Sequence, residues 1–595
     1  MHHVVVHAHC YQPPREDPWL ESVASEASAA PDHDWNARID RECYARLAAA
    51  EVRRPHAGSA ANDPDAPSGI ARLVNLYAWC TFDVGATLCE WMETEAPATL
   101  RAMVAGDAAS VRRLGYGNAI AAPYHHVILP LASPRDRRTE VRWGIADFQR
   151  RFGRTPEGMW LPECAADDDT LDLLAEEGIL FTILAPYQVH VGAETHGLPV
   201  RWRGAAGRTL TIIPYDGGLA GEVAFGGLLR NPEMLARRLA PSLDDGQARC
   251  TTLATDGETF GHHHKDGERA LALALSLIAQ RPDARLINAA ALVASQPATL
   301  NARLISPSSW SCAHGIERWR SNCGCRIDMR QPAAQQWRGP LRSALTALAA
   351  QSDAVFEHEG RALFTDDPWR VRDAYGSAVA HDGPPLEEFV RNALRPDCED
   401  VGVQRARELL ELQRATLRMF TSCAWFFDEV KRIETRQVLR YAARVLELSG
   451  LTQQLEPQFI HWLEAVRTAL AGSLSAAAHF ERAPQSQDRA TWGVAAGAMA
   501  LVATGLSCTR IAACDVWVAA LPSGEYTVTL THRRTGRVTR VVGSVAGVGP
   551  SLCVTVNTPG DTHGATRVVA IHEMPECIAT ILLRPHVLAD EALTG

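Results

Sequence analysis

Residues 159–185 spell a single strand–helix–strand unit, and no other feature of the chain narrows its fold so far. Met159-Trp160-Leu161-Pro162-Glu163 is a short apolar run that ends in a carboxylate. Asp167, Asp168 and Asp169 follow as N-cap candidates, and Leu171, Leu174 and Ala175 lay an apolar stripe along a helix. Gly178 stops that helix, and residues 179–185 read as a second strand. Two strands joined through a helix lie parallel, with a right-handed crossover.

The pattern recurs. Residues 208–215 and 250–255 read as strands, and residues 232–239 and 265–280 as helices. Repeated βα units predict either a barrel or an open doubly wound sheet, and periodicity alone does not choose between them. The chain has no GxGxxG fingerprint and no Walker A loop, which excludes the usual nucleotide-binding variants. Residues 51–69, rich in Pro, Ala, Asp and Gly, read as a surface loop.

At 595 residues the chain outgrows a single hydrophobic core, so two to four domains are expected. Its character changes beyond about residue 340. Residues 342–351, 403–432 and 435–448 are helical by pattern, with Gln404, Glu408, Glu411 and Arg414 on one polar face. Residues 525–531 and 537–542 alternate as strands around the hairpin turn Arg534-Thr535-Gly536. Residues 492–508 carry no charge but are mostly Ala and Gly, and read as a buried helix rather than a membrane span.

A net charge of −10 argues against a nucleic-acid partner, which would call for a basic face. No targeting segment is expected, since Met1-His2-His3 runs directly into Val4-Val5-Val6. The 15 cysteines are odd in number and scattered, several among apolar neighbours such as those of Cys80, Cys250 and Cys423. They read as reduced thiols in a cytoplasm. Cys323-Gly324-Cys325 is the one tight pair, and without a second Cys/His pair at the usual spacing it is not read as a zinc site.

Sites in parallel α/β domains form at the carboxyl ends of strands. Glu163 ends one predicted strand and Asp256 another. Asp256 opens Asp-Gly-Glu-Thr-Phe-Gly-His-His-His, which sets Glu258, Phe260 and His262 close by. Phe260 suits the apolar face of a sugar ring, and the Glu258 charge would raise the proton affinity of Asp256, as a general acid requires. At the end of the first strand, alternation puts His7 and His9 on one face, followed by Tyr11 and Gln12. Two such histidines suit hydroxyl recognition or metal ligation. A zinc hydrolase would want an acid beside them, so sugar binding is the preferred reading.

Four ordered stretches resemble glycoside hydrolase family 57. They are His7-Ala-His9-Cys-Tyr-Gln12-Pro, Tyr124-His-His126-Val-Ile-Leu-Pro-Leu131, Pro156-Glu-Gly-Met-Trp160-Leu-Pro-Glu163 and Asp256-Gly-Glu-Thr-Phe-Gly-His262. Ser308-Ser-Trp310-Ser-Cys-Ala-His314-Gly-Ile-Glu-Arg-Trp319 resembles a subgroup with a long carboxyl-terminal extension of undefined role. That likeness continues through Met419 to Asp428 and through Gln437 to Ala443.

The resemblance implies a (β/α)7 partially closed barrel over residues 1–305 and a mainly helical domain over 306–510 that contributes to the active-site cleft. A β-rich region over 511–595 completes the expected division. It also implies a retaining enzyme of α-glucans or related α-glycosides acting on an oligo- or polysaccharide, with Glu163 as nucleophile and Asp256 as acid/base. The two carboxyl groups would then lie about 5–5.5 Å apart, and no metal or other cofactor is expected.

Expected substrate contacts are His7, His9, Tyr11, Gln12, Asn118, His126, Trp160, Tyr215, Glu258, Phe260, His262, Trp310, His314, Arg318 and Trp319. Cys312 reads as a small buried apolar residue. Many glucan-active members carry a carboxylate just before the Tyr124 motif, where this chain has Gly117-Asn118-Ala119, so the glycone site is expected to differ. The alternatives are a metal-dependent carbohydrate deacetylase or mannosidase-like hydrolase, and a non-catalytic glycan-binding protein.

Overall fold

Strand β1 (His2–Cys10) is buried along its whole length, as the middle strand of a parallel sheet must be. Its carboxyl half pairs in parallel with β2 (Thr81–Val84). Beyond β2 the sheet continues through parallel bridges, Phe82 to Ala119, Ala121 to Met159 and Gly158 to Phe181. Phe181 opens β3 (Phe181–Leu184), which pairs in parallel with β4 (Thr209–Pro214). On the other edge, β1 pairs from His2 to His9 with β5 (Arg249–Asp256), while β6 (Ala284–Leu286) pairs with His2–Val4 on the edge that β2 takes up further along.

Seven segments therefore follow one another in chain order around a curved parallel sheet: β1, β2, residues 119–121, residues 158–159, β3, β4 and β5. The backbone N–H of Asp216 donates to the Thr252 carbonyl at 2.7 Å, but among the described residues no ladder joins β4 to β5. The barrel is thus a partially closed (β/α)7 one. The computed structural model describes residues 1–53, 70–242, 248–327, 335–466, 475–481, 485–547, 549–557 and 566–583.

Local signals set the elements. The Asp167 side chain caps the helix Asp168–Glu176 by accepting from the Thr170 N–H, and Gly178 follows with φ +85°. Asn231 caps Pro232–Leu239 in the same way. The expected strand ending at Glu163 is where the structure departs. Only Gly158 and Met159 make bridges, and Pro162–Cys164 form a single 3-10 turn. Pro162 has no N–H for a ladder, and Glu163 and Cys164 take φ of +58° and +48°, which a strand cannot accommodate. The expected surface loop is flanked by the antiparallel pair Ala50–Arg53 and Ile70–Val74, and its residues 54–69 lie outside the described ones.

The chain divides into two compact units. The first comprises Met1–Pro14 and Glu26–Ile327, and the second Arg15–Ser25 and Asp328–Gly595. Residues 306–327 thus fold with the barrel, and the helical and β-rich stretches fold with each other.

In the second unit Arg338–Leu363, Asp400–Arg418 and Ile433–Ser449 are the main helices. The long helix expected over 403–432 breaks after Arg418, because Phe420 and Thr421 tighten to i→i+3 bonds and Thr421-Ser422 favours local turns over helix. Among the described residues, six consecutive antiparallel strands, from Arg510–Ile511 to Thr566–Ala570, form the β-rich sheet. The helix Gln485–Ala503 lies on it, burying Ala495, Met499 and Ala500 against Val528, Val541 and Val554. Among the described residues no helix is long and apolar enough to cross a membrane.

Of the polar face read from 404–414, Glu408, Glu411 and Arg414 are buried rather than solvated. Arg534 sits between Glu21, 2.7 Å away, and Glu411, 3.4 Å away, while Arg414 lies 3.0 Å from both acids. Glu21 comes from Arg15–Ser25, and these eleven residues leave the barrel immediately after its first strand–loop motif.

Candidate active site

The carboxyl ends of β1, β2 and β5 lie side by side, and register places His9 opposite both Asp83 and Asp256. Asp83 is fully buried. Its Oδ1 lies 3.1 Å from His7 Nε2, and its Oδ2 accepts from His9 Nδ1 at 2.9 Å. Burial works against charge on His9, but Asp83, Asp256 and Glu258 outweigh it and lift the imidazole to about 9. His126 is the reverse case, since burial and the neighbouring His9 charge hold it neutral. His9 Nε2–H therefore donates to His126 Nε2 at 3.2 Å.

Asp256 is half-buried at the mouth of β5. Burial, then Glu258, and to a smaller degree Glu163 push its carboxyl up to about 7, against the pull of His9. Glu258 is itself held in place, since Gln12 Nε2 donates to its Oε1 at 3.1 Å and Tyr44 OH donates to the same oxygen. Glu163 is also half-buried, in the left-handed region that a side chain other than glycine seldom occupies. Trp310 Nε1 donates to its Oε2 at 3.1 Å and Ser311 Oγ at 2.6 Å, while its backbone carbonyl accepts from the Trp310 N–H at 3.0 Å. No partner among the described residues falls on Oε1.

Rings pave the space around these carboxyls. Trp160 stacks on His7 with centroids 4.5 Å apart and meets Trp310 edge-on at 5.1 Å. Tyr11 lies flat on His126 at 3.6 Å, and Tyr215 meets Trp310 edge-on at 6.5 Å. Trp160 is buried, whereas Tyr11 and Trp310 keep exposed surface on which a sugar ring can stack.

The structure thus gathers His7, His9, Tyr11, Gln12, His126, Trp160, Glu163, Tyr215, Asp256, Glu258 and Trp310. It does not gather the rest. Asn118, expected to bind a hydroxyl, is fully buried, with Nδ2 given to the Tyr77 carbonyl and Oδ1 taken by Ser110. Phe260 and Trp319 are fully buried core residues. His262 pairs with Glu42 at 2.6 Å. Arg318 donates to the Ser311 carbonyl at 2.9 Å, so it supports a contact residue. His314 turns to the Cys325 thiol, 3.4 Å away. Cys312, read as an apolar filler, faces the same thiol at 3.8 Å.

Three residues of the site escaped sequence reasoning. Asp83 is the next-to-last residue of a short strand, close to the place Asp256 holds in its own, so the strand-end rule could have found it. Tyr44 and Ser311 carry no comparable signal.

Residues 6–290 match the profile of glycosyl hydrolase family 57, and residues 334–509 match a domain of unknown function, DUF3536. A probable 1,4-α-glucan branching enzyme of Mycobacterium tuberculosis is 42% identical over 59 residues, 10% of this chain and 10% of that protein. The match therefore spans about a tenth of that relative's length. An exo-type maltose-forming amylase of Pyrococcus sp. ST04 superposes with a TM-score of 0.60 at 13% identity, over 78% of this chain and 83% of the amylase. At that identity the likeness is one of fold.

Proposed function

Residues 6–290 match the profile of glycosyl hydrolase family 57, and from that match we propose a retaining enzyme that cleaves or transfers α-glycosidic bonds of an α-glucan or related α-glycoside. Glu163 is the nucleophile and Asp256 the general acid/base. One contrast carries the reading. Asp256 holds its proton up to about 7, while Glu163 accepts two hydrogen bonds on Oε2 and keeps Oε1 available for attack. A carboxylic acid and a carboxylate in one ring-lined site are what double displacement requires.

In the first step Glu163 Oε1 bonds to the anomeric carbon as the glycosidic bond breaks, and the Asp256 proton goes to the departing oxygen. In the second, the Asp256 carboxylate takes a proton from water or from a sugar hydroxyl, whose oxygen displaces Glu163 from the same carbon. Water gives hydrolysis, and a hydroxyl gives transfer or branching.

The test is a panel of maltooligosaccharides, amylose and acetylated oligosaccharides, with wild type, Glu163→Gln and Asp256→Asn. Proton NMR of the first-formed product should show the α anomer, and both substitutions should abolish turnover. A β anomer formed first, or turnover surviving in Glu163→Gln, would overturn the assignment. Acetate release without chain cleavage would point to a deacetylase, and binding without any product to a glycan-binding protein.

A further inference from the structure

The segment that follows Trp310 and Ser311 carries more donor chemistry than sugar binding uses. Cys312, His314, Cys323 and Cys325 each offer one ligand atom, and all four atoms lie within 4.8 Å of one another. We propose that these four side chains bind one structural Zn2+ ion, which fixes the loop that presents Trp310 and Ser311 to Glu163.

Three of the spacings match the edges of a tetrahedron around zinc. Cys312 Sγ lies 3.9 Å from Cys323 Sγ and 3.8 Å from Cys325 Sγ, and Cys325 Sγ lies 3.4 Å from His314 Nδ1. Zn–S bonds of about 2.3 Å and a Zn–N bond of about 2.0–2.1 Å require S···S edges of about 3.8 Å and S···N edges of about 3.5 Å. None of these thiols is in a disulfide, which would bring two sulfurs to about 2.05 Å and leave the other two donors without a role.

Backbone turns build the cluster. Gly324, between two ligands, takes φ +84°, and across that turn the Cys325 N–H donates to Cys323 Sγ at 3.4 Å. Gly315, next to His314, takes φ +79°, and its carbonyl accepts from Ser309 Oγ at 2.5 Å. Three thiolates and an imidazole favour zinc over the oxygen-seeking Mg2+ and Ca2+. A Cys3His set fills all four positions, so the ion serves as a structural tie rather than a reaction centre.

The ion's effect reaches the carboxylate through covalent continuity, because Ser311 adjoins Cys312 and Arg318 grips the Ser311 carbonyl between the two ligand pairs. Metal binding does not depend on the function proposed above. Only its effect on turnover rests on that reading.

The experiment uses the full chain expressed with added zinc. Elemental analysis should find one zinc per chain, and X-ray absorption should show sulfur at about 2.3 Å and nitrogen at about 2.0 Å in a three-to-one ratio. Cys323→Ser and Cys325→Ser should each lower zinc content about tenfold or more, while Glu163→Gln, which removes turnover, should retain it. If the serine variants fold poorly, stripping the wild type with a zinc-selective chelator should lower its thermal midpoint by several degrees. Zn2+ should restore that midpoint and Mg2+ should not. A wild-type chain without stoichiometric metal, a shell of oxygen and nitrogen only, or a mass two daltons light from a cysteine crosslink would overturn the site.

Discussion

Ser311 Oγ donates to Glu163 Oε2 across 2.6 Å, although the two residues stand 148 positions apart. The contact is one of several that zip residues 308–311 onto residues 163–166. Ala166 and Ser308 exchange backbone bonds at 2.9 and 3.0 Å, and Trp310 bonds Glu163 through both its backbone and its indole. The nucleophile proposed here therefore depends on a loop from the far end of the barrel unit for its orientation.

Ser311→Ala should slow turnover by roughly 10- to 100-fold, the equivalent of losing a hydrogen bond to a charged group. The loss should appear in kcat with KM little changed, because the hydroxyl holds Glu163. Steady-state kinetics on a maltooligosaccharide check this, and an unchanged kcat would remove Ser311 from the positioning role.

The raised Asp256 carboxyl sets the alkaline limb of activity. The acid form persists to about 7, so kcat/KM should fall as pH rises through that value. Glu258→Gln removes a like charge and should move the limb to lower pH. The sign for stability follows from the same shift. The folded group keeps a proton that the unfolded group, near 3.9, gives up, so its stabilising contribution is lost as pH rises towards 7. Asp256→Asn should accordingly be inactive yet melt higher than wild type above pH 7.

Asp83 holds two buried histidines with one carboxylate. Asp83→Ala should cost about 3–5 kcal/mol by chemical denaturation at neutral pH, since it strands the His9 charge. His9 is raised when folded, so the stability of its pair is complete below about 6.5 and is lost as pH rises through about 9. The cost of the substitution should shrink over that window. An imidazole titration by NMR should also place His9 well below 9 in Asp83→Asn.

In the second unit, Glu21→Gln should destabilise by about 2–3 kcal/mol, less than a fully buried pair because Glu21 keeps 19% side-chain exposure. Burial resists charge on Glu21, but Arg534 and Arg414 depress its carboxyl well below the usual range. That stabilisation is present above about 4.5 and is lost as pH falls. Melting curves of wild type and Glu21→Gln should therefore converge in acid.

Much of this was legible in the sequence, for reasons that can be named. The βα order, the cap at Asp167, and β5 to within one residue at each end were readable because local chemistry decides them. The strand at 119–121 was not, since single bridges leave no alternating run, and the one at 158–159 showed only as the start of the longer run read from Met159. Asn118 and Phe260 looked like ligand contacts by residue type, but burial turned both inward, and one sequence does not report burial. The left-handed turn at Glu163 is imposed by its surroundings and leaves no local mark. Cys312 and His314 stand one residue apart, outside the usual two-to-four spacing, so their convergence on Cys323 and Cys325 showed only in three dimensions.

The excursion of Arg15–Ser25 has a consequence for biosynthesis. Glu21 leaves the ribosome 513 residues ahead of Arg534, its partner. At about 5–20 residues per second that interval is roughly half a minute to two minutes. During that time the nascent barrel can close around β1 while the strap just after it still waits for its counterpart. Cutting the gene after the barrel would make that wait permanent, so these two units fold as successive stages of one polypeptide and not as interchangeable cassettes.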